Sequence, residues 1–183
     1  MPFHFRRFSV LLFVVASALP IVAQSSQCPV TLPTATPFQV PEGFPGPNLN
    51  QVFYHGTPDL WVRLSPGPWN NLPIWDIGLR QKLAWQSKDF NRTGETFALA
   101  PRPQLTIEGR RLDGNAPPLV FTGANPTFVP DMGPMIMSAV NFPTPGCWEV
   151  TGHLGNATTT FVVQVGESHN YGLNGQPVQS QGE

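Results

Sequence analysis

His55, His153 and His169 are three of the four histidines in this chain, and no two stand at the spacing of paired metal ligands. No metal site is expected. A serine nucleophile has no local signature either: there is no Gly-x-Ser-x-Gly elbow. No Ser, His and Asp gather at a strand end. Asp59, Asp76, Asp89, Glu95 and Glu108 are scattered acids. A pair of them would suit glycoside hydrolysis, yet acids on strand faces and turns are usually just solvated. No Gly-rich loop opens a helix to cradle phosphate. Asp113-Gly114-Asn115 lacks the alternating oxygens of a calcium loop and reads as a turn. The expectation is a chain without catalytic residues and without a cofactor.

The aromatic residues are the better candidates for a site. Trp61 and Trp148 lie in regular strand patterns and read as packed. Trp69, Trp75 and Trp85 lie in a stretch with no clean period. Folded over a sheet, they would make a second small core. Exposed together, they would form a flat platform for sugar rings or a partner surface. His55 joins them as a candidate ligand-binding residue. Arg110 and Arg111 are adjacent, so on a strand they point to opposite faces. One could pair with a carboxylate while the other reaches solvent, and structural salt bridging is expected of them ahead of ligand binding.

Arg6 and Arg7 precede an apolar run from Phe8 to Ala23. This is the layout of a secretory signal, and the run is short for a membrane span. Cleavage after Ala23 fits, with Ile21 at −3, and cleavage after Ser25 competes. Cys28 follows closely, but Ser25 and Gln27 do not fit a lipobox, so lipidation is not expected. The rest, about 160 residues, makes one ordinary domain. The formal charge of −1 becomes about −3 without the two arginines. That speaks against a nucleic-acid partner, which demands a basic surface. The remaining basic residues all fall between Arg63 and Arg111. Cys28 and Cys147 are the only cysteines, and in an exported chain they form one disulfide.

The positioning elements read as strands. Proline is frequent (22 residues) and only 11% of residues are charged. Helix interiors reject proline, whereas turns between strands accept it. Residues 24–50 read as an extended proline-rich arm. Strands are expected at Gln51–Tyr54, Leu60–Leu64, Lys82–Gln86, weakly at Thr96–Leu99, then at Leu105–Leu112, Pro118–Thr122 and Met135–Asn141. Cys147–Gly152 and Thr158–Val165 form the clearest pair, a half-buried hairpin about Gly155-Asn156. Residues 167–183 read as a flexible polar tail. The sum is an all-β domain over 51–166, an antiparallel sandwich, with a small barrel as the alternative. Asn91-Arg92-Thr93 and Asn156-Ala157-Thr158 match the N-glycosylation pattern.

The segments LTIEGRRLD from Leu105 and FPTPGCWEVTG from Phe142, continuing to TFVVQV ending at Val165, resemble a group of exported bacterial proteins without assigned chemistry. The C-terminal block is similar to the last hairpin of bacterial immunoglobulin-like domains. The resemblance implies an immunoglobulin-like sandwich and brings no activity with it. In antibody domains the paired cysteines point between the sheets. Here Trp148 and Val150 take the inward phase, so Cys147 is expected to face outward and to tie the arm across the outer face or edge. The functional expectation is an exported binding or structural module of the periplasm, cell envelope or extracellular space. Its partner would be a protein or glycan. A carbohydrate-binding module using Trp69, Trp75 and Trp85 is the first alternative. A secreted enzyme or inhibitor, acting through the loop from Ser65 to Pro73, is the second.

Overall fold

Leu60, Val62 and Leu64 alternate with Trp61 and Arg63, and this run forms a strand with the expected bounds. The computed structural model of the chain describes residues 27–36, 38–46, 52–90 and 103–167. The expected signal segment, most of the tail, the weak strand at Thr96–Leu99, Asn91 and His169 lie outside these residues. The described strands are β1 (Phe53–Thr57), β2 (Leu60–Leu64), β3 (Ile74–Trp75), β4 (Gly78–Gln86), β5 (Leu105–Arg111), β6 (Val120–Val129), β7 (Gly133–Phe142), β8 (Gly146–Leu154) and β9 (Ala157–Val165). No helix occurs among the described residues, and so none there is long and apolar enough to cross a membrane.

All strand pairs are antiparallel. A six-stranded sheet runs β1-β2-β4-β7-β6, with β3 paired to β4, and a three-stranded sheet runs β5-β8-β9. With β2 as the first strand, these orders are the A-B-E-D and C-F-G sheets of a seven-stranded immunoglobulin sandwich. β1 and β3 are additions. The inner faces of both sheets meet in one core that includes Val62, Leu83, Trp85, Val140, Trp148, Val150 and Phe161.

Where antibody domains join their B and F strands by a disulfide, this chain sets Trp85 of β4 against Gly152 of β8. A Cβ at Gly152 would lie 2.4 Å from the indole Cη2. Trp85 is fully buried, and its Nε1 donates to Ser138 Oγ at 3.1 Å.

The disulfide joins Cys28 to Cys147, 119 residues apart. Trp148 belongs to the core while Cys147, its neighbour on β8, does not. The bridge therefore sits on the outer side of the three-stranded sheet. From it the arm follows the free edge of β9. Thr31 N–H donates to the Val162 carbonyl (2.8 Å), and Val162 N–H donates to Thr31 Oγ1 (2.9 Å). Trp69 N–H takes the Gln164 carbonyl at 2.8 Å in a parallel bridge to β9. His55 Nε2 donates to the Thr160 carbonyl at 2.9 Å. An exposed strand edge invites pairing with other chains. Here three separate segments cover it.

Beyond the edge, Phe38, Val40 and Phe44 of the arm pack on Trp61 and Tyr54, on the outer side of the six-stranded sheet. Trp61 Nε1 donates to the buried Gln86 side chain at 3.1 Å. This burial pushes the Tyr54 phenol above its ordinary value of 10.0, with the Arg63 charge acting in the opposite sense. The folded state thus holds its proton longer than the unfolded chain, and stability falls as pH rises past 10. In an alkaline absorbance titration, Tyr54→Phe is expected to delete a phenolate step that lies above the ordinary tyrosine range. Loss of a step at or below that range instead would contradict the burial.

Two expectations need correction. The strand expected at Pro118–Thr122 begins at Val120 and runs to Val129, through Gly123 and Pro126. β6 is the last strand of its sheet, and an edge strand tolerates proline. Its ladder is broken by a bulge between Phe121 and Ala124. The first strand lies later than expected, at Phe53–Thr57.

Candidate functional site

The three tryptophans of the irregular stretch separate. Trp85 points into the sandwich because its neighbour in the ladder is the inward Val62. Trp69 is drawn into the same core by the bridge to β9, against Phe142 and Phe161. Only Trp75 stays out, 51% exposed, on the tight β3–β4 hairpin with Ile74 and Ile77 exposed beside it. A three-ring stacking platform is therefore not assembled. His55 is engaged with the β9 edge, away from any cluster of ligands. Among the described residues no group of His, Cys, Asp and Glu converges to hold a metal.

The charged residues divide between the sheets. The strands of the three-stranded sheet carry acids and bases together, and these pair. Arg110 meets Glu149 at 2.7 Å, and His153 lies 3.4 Å from Glu108. Arg111 pairs just beyond β5 with Asp113 at 2.6 Å. Both arginines are thus engaged with carboxylates, in structural salt bridges. The Arg111 hydrogen bond holds the Asp113 carboxyl below the usual aspartate range.

The six-stranded sheet is different. Its strands contain Arg63, Arg80 and Lys82 and no Asp or Glu. Leu79, Leu83 and Trp85 of β4 face the core, so Arg80, Lys82 and Ala84 face outward. Arg63 on β2 is outward by the same alternation. Among the described residues, none of the three cations has a carboxylate at salt-bridge distance.

Arg80 is held in place from two sides. Its guanidinium Cζ lies 3.9 Å from the Trp75 ring centroid. Its Nη2 donates to Thr122 Oγ1 at 3.4 Å, and that hydroxyl donates to the Ala139 carbonyl at 3.1 Å. The Arg80 Nε is buried without a protein partner. So is Oδ1 of Asn141, its ladder neighbour on β7 and fully buried. Unmatched buried polar atoms are rare in folded proteins, and Trp69 Nε1 is another among the described residues.

Two clefts open on this face. One, of about 340 Å³, is lined by Arg80, Lys82, Thr122, Asn125 and Thr127, with the β6 bulge at its rim. Bulges re-aim side chains next to sites. The other, of about 230 Å³, lies where β2 and β4 part and is lined by Arg63, Lys82, Ala84 and Met137. β2 and β4 are in register only at Trp61–Gln86 and Val62–Trp85. Lys82 and Met137 belong to both clefts.

A third cleft, of about 630 Å³, lies at the far end of the sandwich between Ser87–Phe90 and the β8–β9 turn. Its cation, Lys88, is 3.0 Å from Asp59 and 3.2 Å from Asp89. The hydrogen bond to Asp59, then that to Asp89, raises the Lys88 ammonium above its ordinary range. Its charge is spoken for within the protein, and this cleft borders the undescribed residues 91–102.

Sequence reasoning passed over Arg63, Arg80 and Lys82. The signal was present: three cations in strand segments without one acid among them. No family model, no curated protein and no solved structure matches this chain.

Proposed function

We propose that this chain is an exported immunoglobulin-like binding module of the cell envelope or extracellular space, and that it takes an anionic ligand on the outer face of its six-stranded sheet. The observation that carries the reading is the charge division. All the described side-chain cations of that sheet lack a carboxylate partner, and they share one face with the half-exposed Trp75. Arg80 is preorganised by its ring and hydroxyl contacts, which lowers the ordering cost of binding an anion. The Cys28–Cys147 disulfide is compatible with an oxidising, exported location.

The test is a titration with a soluble polyanion such as dextran sulfate. Hydrogen bonds to charged groups contribute about 1.5–3 kcal/mol each. The double variant Arg80→Glu/Lys82→Glu is therefore expected to weaken binding by at least about tenfold. It should also flatten the dependence of affinity on salt. Arg110→Glu, on the other sheet, should leave binding unchanged. Equal losses in the two variants would reduce the effect to net charge and overturn the reading.

A further inference from the structure

We infer that the ligand of this face is an acidic polysaccharide, lying along the sheet from Trp75 past Arg80 and Lys82 to Arg63. The inference rests on the binding reading above and adds the ligand's chemistry and its extended form.

The cations do not converge. Arg80 and Lys82 are two residues apart on one side of β4, so their Cα atoms are separated by about 7 Å. Arg63 stands on the neighbouring strand, across the second cleft. A small anion would touch at most part of this row. A chain with recurring negative charge would meet all of it. The two clefts share Lys82 and Met137, so they adjoin along the row of cations.

The lining selects among polyanions. Asn125 and Thr127 supply an amide and a hydroxyl that both donate and accept. Sugar hydroxyls need both. The Trp75 ring, half exposed at one end of the row, offers an apolar face for a sugar ring. An acidic peptide would gain most by pairing its backbone to a strand edge. Here the first cleft lies over the face of β4 and β7, whose facing backbone groups are paired with each other, and it presents side chains instead. Double-stranded nucleic acid needs a larger excess of basic charge than a chain of net charge −1 provides.

The experiment uses the full chain and oligogalacturonides of increasing length. Methyl-esterified oligomers and poly-L-glutamate serve as comparisons. Affinity is expected to rise about tenfold from short to long oligomers as more contacts engage one chain. Esterification should abolish binding, and poly-L-glutamate of matched charge should bind at least about tenfold more weakly. Trp75→Ala should weaken every acidic sugar probe. Arg63→Ala should bring the ratio of long- to short-chain affinity close to one, and Arg63→Lys should restore it. Should Arg63→Ala unfold the chain, Arg63→Gln carries the same test. If short oligomers bind but length has no effect, the extended chain is wrong, while the anionic site at Arg80 and Lys82 survives. Equal binding of poly-L-glutamate, indifferent to Trp75→Ala, overturns the sugar. Absence of binding by any anion removes both readings.

Discussion

Replacing Cys28 and Cys147 together by serine is expected to lower the unfolding free energy by about 4–5 kcal/mol. The bridge spans 119 residues, so it removes a large share of the unfolded chain's freedom. For a domain of this size that is a large fraction of the whole stability. The loss has a local counterpart. Without the bridge, the arm is held to β9 by the bonds between Thr31 and Val162 and by the packing of Phe38, Val40 and Phe44 on Trp61. The fully buried Trp61 should then become accessible to quenchers before the core melts. Denaturant curves of the two proteins, with intrinsic fluorescence as one probe, make the comparison. A difference below about 1 kcal/mol would mean that the reduced, unfolded chain already keeps the arm close to β8.

Gly152→Ala is expected to cost about 3 kcal/mol, the upper part of the range for overpacking a core. The glycine carries no unusual φ that would demand it, so the argument is one of space. A methyl group there meets three atoms of the Trp85 indole at 2.4, 2.6 and 3.0 Å. The indole cannot retreat easily. It is fully buried, bonded to Ser138, and packed on Phe161 at a centroid distance of 6.0 Å. Trp85→Phe should relieve part of the clash, so the double variant should lose less than the sum of the two single ones. Strict additivity would show that the two residues are not coupled.

The second prediction rests on Trp85 of β4, a strand that was hard to read beforehand. β2, β8 and β9 alternate cleanly because one face of each meets the core. Their inward residues, such as Val62, Val150 and Val163, are apolar, while each opposite face holds at least one polar side chain. β4 carries Trp85 at one end and Leu79 at the other with Gln81 between them on the inward phase. That interruption hides the period. The second half of β6 was hidden by Pro126, which a central strand would exclude but this edge strand admits. Trp69 was hidden because it belongs to no strand and is placed by one parallel bridge to a residue near the far end of the chain.

The residues by themselves determined an all-β chain, its last hairpin, and the bond between its only two cysteines. They also set the outward phase of Cys147, because alternation along one strand is a local property. Which tryptophan remains exposed was decided by the tertiary structure alone. So was the row of Arg63, Arg80 and Lys82. The local alternation puts Arg80 and Lys82 on one face of β4, but it cannot say that β2 lies beside them or which side the second sheet covers. Strand order and sheet stacking come from contacts between residues far apart in sequence, and only those contacts gather three cations without carboxylate partners on one face.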